Sequence, residues 1–452
     1  MTALATRLPR SPAARPLGTS QFTAALLCVM VTVLPGCRVQ KNVGPGDVVL
    51  IVLDTLRADH LALHGYGLET SPNLEKLAAD GVTYTQAISP GTWTVPAHAS
   101  LFTGLWPSFH GAERVAGDRN LALPMNPDVP TLAELARARG LHTAAFVANA
   151  TYVSPIFGFG RGFDEFFDAH LDRGPQVSKA LGSWLATQRG RLFVFVNILD
   201  PHEPYDPPPP FDTRFPGKRE EFGTMMTTLV FGGTPLTPEM RAHFVSQYDG
   251  EVAVADQALG AVVADMKKAG RYDSALVIAT SDHGEFLGEH GLAGHGQPPF
   301  EPEVHVPLVV KYPFSQRAGE HVARRVSTLG IFSTILSILQ IAAPPNTQAQ
   351  PLDDPHPVWV EDIDQAGNRV RVGYDDRHKL VSATTVTGTS SWLYDLDADP
   401  GESHPVRDGS GDTALRAGLA SFADAPRPVN LAKRPVIDPE REAQLRALGY
   451  IR

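Results

Sequence analysis

"DVVLIVLD", residues 47–54, is the stretch on which the fold class turns. A nearly unbroken apolar run of this length reads as a strand covered on both faces, the habit of parallel sheets; half-exposed antiparallel strands alternate instead. An acid, Asp54, closes the run. The figure returns in "LFVFVNIL" (192–199), which ends at Asp200, and in "SALVIATS" (274–281), which ends at Asp282. Helical patterns stand between these strands. "SPNLEKLAADG" (71–81) carries Ser71 at the N-cap, Pro72 in the first turn and Gly81 at the stop. "PTLAELARARG" (130–140) precedes a strand, "HTAAFVA" (142–148), and "GEVAVADQALGAVVADMKKAG" (250–270) reads as a long helix. This alternation predicts an α/β fold with a doubly wound, mostly parallel sheet. Polar residues at the strand ends predict a site along the carboxyl edge, with "YDPPPPFDTRFPG" (205–217) as a loop above it.

The chain has 452 residues, room for one large core and a smaller one. Hydrophobic content of 43% and charged content of 19% exclude a disordered chain, and a net charge of −10 argues against a nucleic-acid binder. Arg7, Arg10 and Arg15, with no acid among them, precede the apolar run 22–34 and then "LPGC" (34–37). Thirteen apolar residues are too few to span a bilayer, which takes about 20. "LPGC" resembles a bacterial lipobox, which implies cleavage before Cys37 and acylation of its sulfur. The expectation is an exported lipoprotein, anchored to a membrane and facing the periplasm or exterior. Residues 1–36 are then signal peptide and 37–46 a tether, and losing three arginines moves the charge from −10 to −13. Cys28 and Cys37 are the only cysteines, so the mature domain has no disulfide and no thiolate. The catalytic domain is expected over 47–345. After "APPNTQAQP" (343–351) the composition shifts to a small α+β subdomain (346–452), with strands at "RHKLVSA" and "SSWLYDL" and a closing helix at 438–450.

Three strand ends bear carboxylates and imidazoles. Asp54 follows the first; "DPHEPY" (200–205) supplies Asp200, His202 and Glu203; "SDHGEFLGEHGLAGHG" (281–296) supplies Asp282, His283, His290 and His295. A lone histidine is more often a surface or hydrogen-bonded core residue than a ligand. Several groups converging on one edge point to a metal. In "SPGTWTVPAHASLFTG" (89–104), Pro96 suits the first turn of a helix that runs to Gly104, which places Thr94 at the helix N-terminus. Free amide groups and the helix dipole favour an anion there. A hydroxyl beside a divalent cation would be acidified and could attack phosphorus or sulfur. By itself, such a threonine is more often a simple N-cap.

The chain resembles the sulfatase family of the alkaline-phosphatase superfamily. The landmarks are "VVLIVLDTLRADHLALHGYG", "TSPNLEKLAADGVTYTQAISP", "VPAHASLFTGLWPSFHG", "FVFVNILDPHEPYDPP", "SQYDGEVAVADQALG", "TSDHGEFLGEHGLAGHG", "WLYDLDADPGE" and "LRALGY", in the family's order. The resemblance implies metal ligation by Asp54, Asp282 and His283, with Thr94 as ligand and nucleophile. Sulfatases convert Cys or Ser at the position of Thr94 into formylglycine. A secondary alcohol cannot give that aldehyde, so no formylglycine is expected. His98 replaces the signature's Arg, Thr55 a second Asp, and "FVANATY" (146–152) has neither Lys nor His of the sulfate-binding segment. Gly330 stands where the family commonly has Asp.

Other branches of the superfamily, the nucleotide phosphodiesterases and phosphoethanolamine transferases, carry a phosphoryl group on an unmodified Thr. The transferases also place a His twelve residues after the metal-binding His, the spacing of His295 from His283. The expectation is an enzyme acting on a small-molecule, glycan or lipid phosphate ester, with sulfate esters second. Thr94 attacks; His202 and His295 bind the substrate or, with Asp200, a second cation, and donate protons; His98 is a further candidate. One or two divalent ions are expected. The N/O donor set favours Zn²⁺ or Mn²⁺ over Ca²⁺, which prefers about 6–8 oxygens. Two other readings stay open at this point: a true sulfatase working with plain Thr, and an inactive protein that holds a glycan or anion in the metal cleft.

Overall fold

A computed structural model describes residues 46–433, apart from 116–120, 170–172, 365 and 407–411, together with 435, 439 and 443. The apolar run at Val48–Leu53 forms the buried middle of an eight-stranded sheet. Across the sheet the order is Glu320–Val322, Val82–Tyr84, Leu308–Lys311, Leu276–Thr280, Val48–Leu53, Leu192–Ile198, His142–Val147, Glu165–Asp168. Only Leu308–Lys311 runs against the rest. Leu192–Ile198 and Leu276–Thr280 flank Val48–Leu53 in parallel register, so Asp54, Asp200 and Asp282 emerge at one edge. All residues of these three strands are buried. Apolar side chains from both faces feed separate core clusters, which accounts for the unbroken hydrophobic runs.

The helices follow the expected order with two adjustments. The long helix begins earlier than its apolar pattern, at Pro238, where Thr237 caps it, and runs 31 residues to Lys268. The helix Pro72–Ala79 receives no cap from Ser71. Its first amides, Asn73 N and Leu74 N, donate instead to Asp256 of the long helix at 3.0 and 2.8 Å. A carboxylate presented by a neighbouring helix has displaced the local hydroxyl.

Beyond residue 345, four antiparallel strands, Val358–Ile363, Arg369–Tyr374, His378–Thr385 and Gly388–Asp395, form a second sheet. The sequence marks only the last two. Helix Thr413–Asp424 packs on this sheet through Leu415, Leu419 and Phe422. The signal, the tether and nearly all of the closing helix expected at 438–450 lie outside the described residues. Among the described residues no helix is long and apolar enough to cross a membrane. At Gly330 a Cβ would come within 2.9 Å of Gln350 O and 3.0 Å of Leu352 Cδ2, so the second sheet's lead-in leaves no room for a side chain there.

Candidate active site

Thr94 opens the helix Thr94–Thr103, one position inside the N-cap, which is Trp93. Its side chain caps nothing. The hydroxyl lies 3.4 Å from His283 Nε2, fully buried, so the capping explanation of this threonine fails on geometry.

One ligand atom each from Asp54, Asp282 and His283 lies within 4.8 Å of the others. The surrounding hydrogen bonds show which atoms are left over. Asp54 Oδ2 accepts from Asn149 Nδ2 at 2.9 Å and Asn197 Nδ2 at 3.2 Å, whereas Oδ1 is buried without a partner. Asp282 Oδ1 accepts from Thr55 N at 3.2 Å and His283 N at 2.9 Å, whereas Oδ2 has no hydrogen-bond partner. His283 Nδ1 donates to Gly284 O at 2.9 Å, which turns Nε2 toward Thr94 and Asp282. Buried acceptors left unpaired cost about 1–3 kcal/mol each, more when charged. Two such carboxylate oxygens beside His283 Nε2 fit a divalent cation, which would take the place of the proton on that nitrogen, and the outer hydrogen bonds are those that orient metal ligands. Electrostatics agree. Burial, then the Asp282 charge, pushes the Asp54 carboxyl above its usual range. Burial opposes the charged form of His283, but adjacent Asp282 overrides it and lifts the imidazole to about 9. Asp282 itself is held well below the usual carboxylate range by the imidazoles of His283 and His98, against the cost of burial.

The backbone is bent to make this arrangement. Thr55 has φ 57°, the left-handed region, which costs a β-branched residue of order 1–3 kcal/mol. The turn aims Thr55 N at Asp282, and Tyr248 locks it by donating to Thr55 O at 2.8 Å.

A row of imidazoles leads away from the cluster. The rings of His283 and His295 are 4.7 Å apart, and those of His295 and His202 4.8 Å. His295 Nδ1 lies 3.0 Å from Glu285 Oε1, and Tyr205 donates to Glu285 Oε2 at 2.6 Å. His202 Nδ1 faces Glu203 O at 2.5 Å, and burial holds this imidazole below its ordinary value. The structure thus brings Asp54, Thr94, His202, Asp282, His283 and His295 together.

Two further expected residues, Asp200 and His98, make contacts of their own. Asp200 Oδ2 accepts from Gly174 N at 2.6 Å, at the head of the helix Gly174–Leu185, with Arg173 3.9 Å from Oδ1. That bond engages Oδ2, while Oδ1 is buried without a hydrogen-bond partner. His98 touches the site from beneath. Its Nδ1 lies 3.0 Å from Thr94 O and 3.3 Å from Asp282 Oδ2, while the ring meets Phe159 and Phe195 edge-on. It is placed to position Thr94 and Asp282. Sequence reasoning missed Asn149, Asn197 and Glu285. Asn197 left a signal as the one polar residue inside "LFVFVNIL".

Glu203 offers a pH test. Burial raises its carboxyl to about 7, against donors from Thr227, whose N is 2.8 Å away and whose hydroxyl also donates. The folded protein therefore holds this proton more tightly than the unfolded chain. The associated stability is full below pH ~4.5 and lost as pH rises through 7, about 3 kcal/mol in all. Glu203→Gln keeps an acceptor for Thr227 N and does not titrate. In urea unfolding its stability relative to wild type should rise by up to about 3 kcal/mol between pH 4.5 and 8. A flat difference would remove the assignment.

Two carboxylates and an imidazole gather beside a helix-borne hydroxyl at the sheet's carboxyl edge, a donor set that could hold a divalent cation. The chain belongs to the Sulfatase family, whose model matches residues 46–341. It is 26% identical over 339 residues to N-sulphoglucosamine sulphohydrolase of Homo sapiens, covering 70% of this chain and 64% of that one. It is 23% identical over 497 residues to the multifunctional alkaline phosphatase superfamily protein PehA of Trinickia caryophylli, covering 83% and 93%. The fold matches the phosphonate monoester hydrolase of Agrobacterium radiobacter with a TM-score of 0.66 at 23% identity, over 84% and 94% of the two chains. The family is one of ester hydrolases within the alkaline phosphatase superfamily, and its enzymes are metal-dependent.

Proposed function

We propose that the protein cleaves phosphate esters, diesters or monoesters of a small molecule, glycan or lipid, with Thr94 as nucleophile. The observation that carries this reading is the Thr94 hydroxyl, buried, uninvolved in capping and 3.4 Å from His283 Nε2. Asp54, Asp282, His283 and Thr94 would hold a divalent cation, Zn²⁺ or Mn²⁺ by the donor set, which when bound makes the hydroxyl more acidic and offsets charge on the phosphoryl oxygens. Thr94 Oγ1 forms the new bond to phosphorus, its proton passes to solvent, and the bond to the leaving oxygen breaks. His295, oriented by Glu285, gives the leaving oxygen its proton, with His202 beside it to bind the substrate. The positive end of the helix that Thr94 opens would offset charge on the phosphoryl oxygens. The phosphoryl group on Thr94 then passes to water or to an acceptor alcohol.

The test is mass spectrometry of protein quenched during turnover with a panel of phosphate, phosphonate and sulfate esters. Phosphorylated Thr94 is expected. Sulfated Thr94 would establish a sulfatase that works with plain threonine; an unmodified Thr94 with every ester, in protein lacking stoichiometric metal, would establish an anion-binding protein.

We propose further that Cys37 is acylated after export and anchors the protein to a membrane. Support comes from the arginines ahead of the 22–34 apolar run and from "LPGC". Cys37→Ser should abolish labelling by radioactive palmitate and release the protein from the membrane fraction. Labelling that persists in the variant contradicts the assignment.

A further inference from the structure

The second sheet reaches into the active site. Strand Val358–Ile363 lies along the loop that leads into Thr94, where Glu361 N donates to Pro90 O at 3.0 Å. The Glu361 side chain pins this strand, accepting from Ser108 N at 3.1 Å and Arg371 Nε at 2.8 Å. The next residue, Asp362, is buried and accepts from Thr92 Oγ1 at 2.8 Å, two positions before Thr94.

The same carboxylate lies 3.9 Å from Arg114, a buried arginine whose guanidinium sits 5.1 Å from the centre of the Trp93 ring. Arg114 Nη1 donates to Gly296 O at 3.2 Å, and Gly296 N donates to Thr92 O at 3.0 Å. Gly296 follows His295. Its φ is +69°, and a Cβ there would stand 2.4 Å from Arg114 Nη2, so only glycine lets the guanidinium lie against this turn. The loop before Thr94 and the loop after His295 are therefore joined to each other, and both are joined to one carboxylate of the second sheet.

We propose that Asp362 is a positioning residue which, through Thr92 and Arg114, sets the Thr94 loop against the His295 loop. This rests on the roles given above to Thr94 and His295. In-line attack needs nucleophile and proton donor on opposite sides of phosphorus, and a misplacement of about 1 Å can cost about a hundredfold in rate. Thr94 heads a helix and His295 follows the short strand Ala293–Gly294, but no regular element runs from one to the other to hold that spacing. The second sheet supplies it, so the small C-terminal unit is part of the catalytic apparatus.

The experiment uses the full chain, metal-supplemented, with p-nitrophenyl phosphate and bis(p-nitrophenyl) phosphate as probes, beside amide hydrogen exchange read by mass spectrometry. Asp362→Ala should lower kcat roughly tenfold or more with KM and metal content close to wild type. Asp362→Asn keeps an acceptor for Thr92 and should recover part of the loss. Exchange should quicken over 89–95 and 295–297 and stay unchanged in strand 48–53. Thr92→Val removes only the hydroxyl and carries the same measurement if Asp362→Ala does not fold. The proposal is overturned if both loops loosen while kcat is unchanged, if exchange quickens only around residue 362, or if the loss lies in KM or metal content. Wild-type protein inert toward all phosphate and sulfate esters would sink the functional reading instead, and the exchange result would stand by itself.

Discussion

Thr94→Ala is expected to lower kcat/KM for phosphate esters by roughly 10⁴-fold or more, the scale seen when a covalent nucleophile is removed. The folded state should lose about 1 kcal/mol with the buried methyl, as for Thr94→Ser, and nothing further for capping. If Thr94 were a helix cap, its loss would cost about 1 kcal/mol, but its hydroxyl makes no capping bond, and its 3.4 Å approach is to His283. Collapse of activity with a stability loss no greater than that of Thr94→Ser is therefore the signature of a nucleophile. Loss of stability with activity retained would identify a cap. Thr94→Ser keeps the hydroxyl and removes one buried methyl, so it should retain turnover at about 1 kcal/mol of stability. The two variants together separate the chemistry of the oxygen from the packing of the side chain.

Asp54→Asn should act with opposite signs on activity and on stability of the metal-free protein. Its Oδ1 is the oxygen left unpaired beside Asp282 and His283, so replacing the carboxylate removes a ligand. The cation's contribution, several kcal/mol of charge stabilisation, corresponds to a loss on the order of 10²–10³-fold in kcat. The protein should purify without stoichiometric metal by elemental analysis. In metal-free protein, by contrast, Asp54 is a fully buried acid facing a second one. An asparagine would still accept from Asn149 and Asn197 through its oxygen, while its amide faces Asp282 in place of a repelling carboxylate. Metal-free Asp54→Asn should thus melt above metal-free wild type, the trade between function and stability expected of a built site. Full metal content in the variant would exclude Asp54 as a ligand.

Much of the fold is legible in the residues. Unbroken apolar runs at 47–53, 192–199 and 274–281 require burial on both faces, which only a helix-covered parallel sheet provides. An acid at the end of each run then falls at the carboxyl edge by construction. Thr94 stands out for the same reason, since the helix signal that follows fixes it at a helix head. The weaker inferences concern which strand-end groups share a site. Asp200 and Asp282 occupy equivalent places in the pattern, yet Asp200 is engaged by Gly174 N across 26 residues and Asp282 faces His283 and the buried ring of His98.

The amino-acid sequence by itself determines the layered α/β architecture, the edge at which polar groups gather and a threonine, not a cysteine, at the helix head. These follow from periodicity and local propensity, which act over a few residues. Tertiary structure alone decides which oxygen of each carboxylate is left for a cation, that Glu285 orients His295, and that Asp362 reaches Thr92. Those contacts join residues as far as 95 and 270 positions apart, as in Asn149 with Asp54 and Thr92 with Asp362. No local pattern specifies such pairs; they exist only because burial forces every polar group to find a partner within the packed whole.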